Sequence, residues 1–461
     1  MNAAAPHHHI RMPAASVTGS TRAYAAVLLI VILFILYGSL FPFEYRDRSY
    51  PGGPVVYLLS TWHDWDGRGD LLSNILLYLP FGFFATCALP SRIPGTLRAA
   101  LATIAGTAMA CCVEITQFHD AGRVTTMGDV YANGIGSVLG AAAAAAIGAS
   151  LRWPLVRELA AHPTAAILLV MFFGYRLYPY VPMIDLHKYW HALWPILRMP
   201  RLPPDELARY VITWLFIAVI VHSLYGFRRF LLLFPLLFAA EFLGKIMIID
   251  NVLKLTDVVG ACAAYLLWAL LLRWLPGRFV IVILSFAAMI VAERLRPFQF
   301  LAAPRSFGWI PFGSFMRGSI GVAMQAFCQK FYEYGGLIWL LGRCGVILPI
   351  GTALTAVLLL VTSVAECWLP GRSAEITDAA MAMVIGGAFA MLRQAARARA
   401  VEILPPDAAA REHARFVETI LARHGVALPP PSPELSQTLL SPPLRRRGRK
   451  YAPYVPPHLR G

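Results

Sequence analysis

Charge is what this sequence has least of. Only 14% of its 461 residues are charged, against roughly a quarter in soluble domains. With 58% hydrophobic residues and a mean hydropathy of +0.60, the bulk composition excludes an ordinary soluble chain and points to a membrane. Catalytic signatures are missing too: there is no nucleophile elbow, no metal-ligand set and no phosphate loop along the chain. None of the seven cysteines sits in a CxxC pair or at metal-ligand spacing from a histidine, so they read as small hydrophobes. The run "HHH" (7–9) is too short and isolated for a metal site. No metal and no cofactor is expected. The first apolar run lacks a following A-x-A cleavage site, which excludes a cleaved signal peptide and keeps it as a helix.

One excess needs weighing against these absences, the formal charge of +15. The stretch "LRRRGRK" (444–450) alone supplies five basic residues, with no aromatic-interleaved basic module around it. A cytoplasmic tail drawn to anionic lipid headgroups is expected, and no nucleic acid.

Apolar runs fall at about 24–41, 71–89, 97–118, 128–149, 164–181, 208–227, 229–249, 255–273, 278–294, 329–345, 347–366 and 374–393. Each is near the roughly 20 residues that a crossing helix needs. The expected fold is therefore all-α, a polytopic membrane helical bundle of about 12 transmembrane helices.

Three helices end in a kindred phrase: "SLFPFEY" (39–45), "RLYPYVP" (176–182) and "RLRPFQF" (294–300), centred on Pro42, Pro179 and Pro297. From each proline to a later glutamate at an apolar run is 72 residues (Glu114), 62 (Glu241) and 69 (Glu366). From each proline to the next aspartate of the series is 87 (Asp129), 78 (Asp257) and 81 (Asp378). This periodicity predicts three four-helix repeats. The expected division is a cytoplasmic segment 1–23, units 24–150, 151–275 and 276–393, and a cytoplasmic, Pro-rich basic tail 394–461. Within the tail, 407–425 can form an amphipathic helix before a proline-rich stretch. Arginines in alternate short loops, such as Arg92, Arg98, Arg228, Arg229, Arg273 and Arg278, place both termini in the cytoplasm.

The first unit is densest in polar residues. Asp70 and Asn74 share one helical face, Glu114 and Gln117 another, and Asp129 and Asn133 a third, with Arg68 and Arg123 beside them. Asp70 and Asp129 also stand near helix starts, where capping is an alternative role. Glu114 is costly to bury in a membrane unless it pairs inward or lines a polar cavity. Arg123 is expected to approach Glu114 or Asp129. Gly136 and Gly140 have the small-xxx-small spacing of close helix packing. Pro80 and Gly82 are expected to loosen their helix. In the second unit, Glu241 and Lys245 read as a self-contained pair one turn apart. The third keeps Glu366, Arg372, Glu375 and Asp378, but Ala382 stands where the first has Asn133, as Ala261 does in the second. The expectation is one complete polar site, one partial site and a scaffold between them.

The stretches "RGDLLSNILLYLPFGF", "VEITQFHDAGRVTTMGDVYANGIGSVLG" and "ECWLPGRSAEITD" resemble the VanZ-like family, named for a membrane protein linked to teicoplanin resistance. The resemblance covers the first unit well and the third in part. It implies a multi-pass protein of the bacterial inner membrane acting on the cell envelope, with an effect on glycopeptide susceptibility for some members. It brings no settled reaction or cofactor. Asp70, Asn74, Glu114, Gln117, Arg123, Asp129 and Asn133 match the family's polar positions. The expected partners are the lipid bilayer and an envelope lipid, glycan or peptidoglycan-related ligand held in an outward-facing pocket. A membrane enzyme, for which no catalytic motif is recognised, and a small-molecule transporter stay open as alternatives.

Overall fold

Proline and glycine set most of the helix boundaries. The computed structural model describes residues 15–64, 67–121, 123–151, 153–198, 201–317 and 320–403. The chain begins with α1 (Ala15–Leu40), α2 (Gly53–Ser60), α3 (Arg68–Ala88), α4 (Gly95–Gln117) and α5 (Met127–Ser150). It continues with α6 (Pro154–Ala161), α7 (Pro163–Arg176), α8 (Leu186–Arg198), α9 (Pro204–Met247) and α10 (Leu255–Leu266). A π-helical turn, Leu267–Leu271, and a 3₁₀ turn, Leu272–Trp274, extend α10. Next come α11 (Arg278–Leu295), α12 (Gly313–Arg317), α13 (Ile320–Arg343), α14 (Leu348–Ala365) with a 3₁₀ turn at Glu366–Trp368, and α15 (Thr377–Ile403). The described residues contain no β-strand, as the all-α reading expects.

Proline opens α6, α7, α9 and α14, where its missing N–H costs nothing. Gly226 breaks α9, with φ 75 and ψ 171, a conformation open in practice to glycine alone.

The three proline phrases share a geometry. The bonds Phe41–Pro42, Tyr178–Pro179 and Arg296–Pro297 are cis, and the next residues, Phe43, Tyr180 and Phe298, have φ of 67, 62 and 61. Four residues past each proline the chain hydrogen-bonds to the loop beyond the glutamate helix. Arg46 N–H donates to His119 O at 2.7 Å, Met183 N–H to Met247 O at 2.8 Å, and Leu301 N–H to Trp368 O at 2.6 Å. Each proline turn thus fixes one helix end against the loop that follows Glu114, Glu241 or Glu366.

Two apolar cores form. One joins α1–α5 through Ile35, Tyr78, Phe81 and Ala110. The other is shared by α7, α9, α10, α11, α13, α14 and α15 around Trp214, Phe216, Phe286, Tyr332 and Phe389. Outward faces stay apolar as well: Ile104 is 65% exposed, Leu232 65% and Leu270 71%. Helices this greasy on their outer side suit lipid rather than water.

Among the described residues eight helices are long and apolar enough to cross a membrane, or nine if the pair α6 and α7, bent by 102°, counts as one. This is fewer than the twelve expected, for visible reasons. The 44-residue α9 counts once despite its break. α7 has 14 residues, about 21 Å of helix against a hydrocarbon core of roughly 30 Å. α11 holds Arg278, Glu293 and Arg294 within 18 residues, and α13 carries Lys330 and Glu333.

Pro80 does not interrupt α3, and Gly82 serves close packing instead of loosening the helix. The described residues up to Glu402 belong to one compact unit. The tail helix expected at 407–425 and the basic stretch after it lie outside the described residues.

Candidate binding site

Close approach of α3 and α5 builds the first polar centre. A Cβ at Gly136 would stand 2.2 Å from Ile75 O, and one at Gly140 would stand 2.0 Å from Leu79 O. A Cβ at Gly82 would meet Ser137 O at 2.0 Å. Only glycine lets these backbones touch, as the small-residue spacing predicts. That contact sets Asp129 of α5 against Asn74 of α3, whose side-chain amide donates to Asp129 Oδ1.

Glu114, 2% exposed in the last turn of α4, organises the loop that leads into α5. Its Oε2 accepts from Thr126 N–H at 3.2 Å, and its carbonyl accepts from the Thr125 hydroxyl at 3.2 Å. Thr126 is the N-cap of α5 and accepts from Asp129 N–H at 3.2 Å. Gln117 ties α4 to α1 by donating to Ser39 O at 2.7 Å.

Arg123 departs from expectation. Its guanidinium donates to Gly38 O at 2.9 Å and Phe41 O at 3.4 Å, carbonyls that the end of α1 leaves unsatisfied. Arg372 does the same for α11, donating to Glu293 O at 2.6 Å and Arg296 O at 3.0 Å. The arginine of each "GR" loop is therefore a helix cap.

Two buried polar atoms in this region have no hydrogen-bond partner among the described residues. They are the Tyr78 hydroxyl, on a fully buried side chain, and Asn133 Oδ1, on a side chain 3% exposed. Tyr78 stands one turn beyond Asn74 on α3, and Asn133 one turn beyond Asp129 on α5. Both atoms thus sit one turn further along the helices that the Asn74–Asp129 bond joins.

The other two centres are closed by full charges. Arg176 of α7 bridges Glu241 (2.6 Å) and Asp257 (2.7 Å), and Lys245 reaches Asp257 at 2.7 Å and Glu241 at 3.4 Å. The Glu241–Lys245 pair is therefore not self-contained: it is half of a four-member network with two charges of each sign. Arg294 of α11 pairs with Asp378 and, at 3.1 Å, with Glu366; it also donates to the Tyr334 hydroxyl at 3.1 Å and Ser363 Oγ at 2.8 Å. Lys330 completes that set on Asp378 at 2.7 Å.

Of the residues expected to form a site, Asn74, Glu114, Gln117, Asp129 and Asn133 gather where α3, α4 and α5 meet. Asp70 is exposed in the first turn of α3, where a carboxylate favours the helix dipole. The side chain of Arg68 lies outside the described residues. In the third segment Glu366 and Asp378 come together on Arg294. Glu375 turns away to accept from the Thr377 hydroxyl at 2.8 Å and Ser314 Oγ at 3.1 Å.

Sequence reasoning missed Tyr78, Arg176, Arg294 and Lys330. The signal was present: Arg176 and Arg294 each stand three residues before a phrase proline, where the first segment has Ser39. Among the described residues no group of three or more His, Cys, Asp or Glu side chains is placed to hold a metal ion. The first centre is rich in hydrogen-bond acceptors and sits at the ends of apolar helices. No curated protein and no solved structure matches the chain. Residues 23–148 match the family model described as VanZ/LLP1, so the segment built from α1 to α5, which holds Glu114, Asp129 and Asn133, is VanZ-like.

Proposed function

We propose that this is a protein of the bacterial inner membrane whose VanZ-like segment, 24–150, binds the headgroup of an envelope lipid, glycan or peptide. Segments 151–275 and 276–393 are its scaffold. The observation that carries the reading is the pair of partnerless buried atoms, Tyr78 O–H and Asn133 Oδ1, next to the bonded pair Asn74 and Asp129. Leaving buried polar groups without partners costs about 1–3 kcal/mol each, a cost that a ligand removes. In the scaffold segments the carboxylates pair with arginine and lysine, although Glu241 Oε2 and Arg294 Nε are also buried without a hydrogen-bond partner among the described residues.

Three four-helix repeats with twelve crossings are the architecture proposed for it. Support comes from the shared return bonds after Pro42, Pro179 and Pro297 and from the matched caps Arg123 and Arg372. The 44 residues of α9 amount to about 66 Å of helix, two crossings hinged at Gly226. Both termini are proposed to face the cytoplasm, which puts the polar centre near the outer surface and the basic tail, 394–461, against anionic inner-leaflet lipid. The VanZ resemblance extends the proposal to glycopeptide susceptibility.

Native mass spectrometry of detergent-purified protein tests the binding role. Wild type is expected to carry a bound envelope component, and Glu114→Gln to lose it. A wild-type protein that carries nothing, or a variant with the same occupancy, overturns the proposal.

A further inference from the structure

The helices that bring Arg294 and Asp378 together carry a second set of charges at their other ends. α11 closes with Arg294 but starts at Arg278, and α13 ends at Arg343. α15 starts beside Asp378 and carries Arg393 in its second half, and the 3₁₀ turn that extends α10 holds Arg273. Contacts join these four arginines in a row. Arg278 Nη1 donates to Arg273 O at 2.8 Å. The guanidinium of Arg278 stands 5.1 Å from the Phe279 ring, and that of Arg343 meets the same ring at 5.5 Å. A Cβ at Gly342 would stand 3.5 Å from Arg393 Nη2, so Arg393 reaches α13 beside Arg343. The Arg273 guanidinium lies over Phe227 at 3.5 Å and over Trp274 at 4.0 Å.

At the acidic ends Arg176 and Arg294 hold carboxylates, while Arg123 and Arg372 hold carbonyls. The four arginines here form no ion pair among the described residues, and Arg273 Nε is buried without a hydrogen-bond partner there. Glu158 of α6 faces His162 at 3.6 Å, and the Glu402 side chain, further along α15, lies outside the described residues. Arginines at a cytoplasmic end follow from the charge rule that orients membrane chains, and solvated ones need no ligand. A solvated set spreads, because like charges repel. These four converge instead, against aromatic faces that hold a guanidinium flat and leave its edge N–H groups free.

We infer that Arg273, Arg278, Arg343 and Arg393 bind a phosphate-bearing anion at the end of the molecule where the α10 extension, α11, α13 and α15 meet. The guanidinium fork matches two phosphate oxygens, and the anion supplies the counter-charge that lets the four stand together. Leu270, Trp274 and Val280 expose apolar surface beside the cluster, where acyl chains can lie. In the proposed orientation this end meets the cytoplasmic leaflet, and a basic pocket between helices there suits an anionic headgroup. The phosphate arrives on a lipid or free in solution, and both share this chemistry. The inference does not depend on reading 24–150 as a binding segment.

The test uses the full chain in micelles of a neutral detergent, titrated with phosphatidylglycerol, phosphatidylcholine and inorganic phosphate. Native mass spectrometry reads occupancy, and unfolding midpoints are measured alongside. Wild type is expected to retain phosphatidylglycerol in preference to phosphatidylcholine. Inorganic phosphate competing as well as the lipid identifies a soluble phosphate as the source, and no competition identifies the lipid. Arg273→Gln combined with Arg343→Gln is expected to weaken phosphatidylglycerol binding about tenfold. Arg343→Gln alone changes an exposed residue and is expected to weaken it severalfold, which keeps the inference testable if the double variant fails to fold. Arg228→Gln with Arg229→Gln removes the same charge from exposed positions next to the Gly226 break and should leave binding little changed. Equal weakening by the two double variants overturns the inference, because net charge alone then accounts for binding. Equal retention of both lipids by wild type overturns it, as does phosphatidylglycerol binding that Arg343→Gln leaves unchanged. Glu114→Gln, expected to empty the first centre, should leave this occupancy as it is, so the two sites fail separately.

Discussion

In α13–α15 and α11 the carboxylates Glu366 and Asp378 meet Arg294 and Lys330, whereas in α3–α5 the amide of Asn74 holds Asp129 and the loop amide of Thr126 holds Glu114. The surrounding frame is the same in kind: a proline turn, a return hydrogen bond and an arginine cap on the first helix. What differs is the strength of the commitment. A desolvated ion pair locks its members, because removing either leaves a charge in a medium that cannot solvate it. An amide makes a hydrogen bond to a carboxylate and carries no charge of its own, so the bond it forms is weaker than a desolvated ion pair. The same frame carries an ion-pair clasp in one place and, on the proposed reading, a binding site in the other.

The sharpest way to break this comparison is to remove the arginine. Arg294→Met strands Glu366 and leaves Asp378 with Lys330 alone, both carboxylates being under a tenth exposed, and is expected to cost about 3–5 kcal/mol. Thermal unfolding in detergent should show a large loss of stability, with reduced membrane abundance. Ser39→Ala, at the matching position, should change stability little. Adding Glu366→Gln and Asp378→Asn to Arg294→Met should recover part of the loss. If Arg294→Met and Ser39→Ala behave alike, the clasp does not hold the third segment together.

Helix contact gives the next largest expected effect. Gly140→Ala drives a Cβ into Leu79 O, and overpacking of this kind costs about 1–3 kcal/mol. Gly387 on α15 has nothing within 4 Å of its would-be Cβ. Gly387→Ala should therefore be neutral or gain up to about 1 kcal/mol from helix propensity. Unfolding midpoints of the two variants decide it; equal midpoints would mean that α3 and α5 are not in backbone contact.

These outcomes separate what the residues announce from what they conceal. The all-helical membrane fold is legible in apolar runs, because lipid demands long internally bonded segments and leaves few other solutions. Gly136 and Gly140 announce their contact by spacing, and Asn74, Glu114 and Asp129 announce their convergence by recurring on helix ends. Arg123 misleads because charge pairing is the obvious expectation for an arginine among carboxylates, yet the carbonyl end of α1 also offers it acceptors, and its guanidinium donates there. Arg176, Arg294 and Lys330 were hidden for a different reason. They stand on separate helices from the carboxylates they neutralise, so no spacing along one helix reveals the pairing. Tyr78 looks like any buried aromatic until its hydroxyl is followed.

A smaller effect, more informative about function, comes from comparing the two aspartates. Asp378→Asn leaves Lys330 and Arg294 in partial excess and is expected to lose about 1–3 kcal/mol. Asp129→Asn replaces an acceptor that faces an amide, so the fold should lose less while the bound envelope component is lost. Abundance in membranes and occupancy by native mass spectrometry separate the two effects. Equal loss of occupancy from both, at unchanged abundance, would make the third segment a working site.

The smallest expected effect probes what the two segments share. Arg123 and Arg372 each donate to two carbonyls at the end of the first helix of their segment, so Arg123→Ala and Arg372→Ala both leave those carbonyls to other partners. Both positions are partly solvent-accessible, so water takes over some of the lost bonding, and each variant is expected to cost about 0.5–1.5 kcal/mol. The two losses should be alike, because the cap geometry is alike even though the carboxylate chemistry behind it is not. Neither variant should alter occupancy at the first centre beyond what its stability loss explains. Paired unfolding midpoints check the first expectation and native mass spectrometry the second. If Arg123→Ala empties the first centre while Arg372→Ala leaves it filled, at equal stability, then Arg123 belongs to the receptor as well as to the frame, and the division between the two would have to be drawn one residue closer to the helix end.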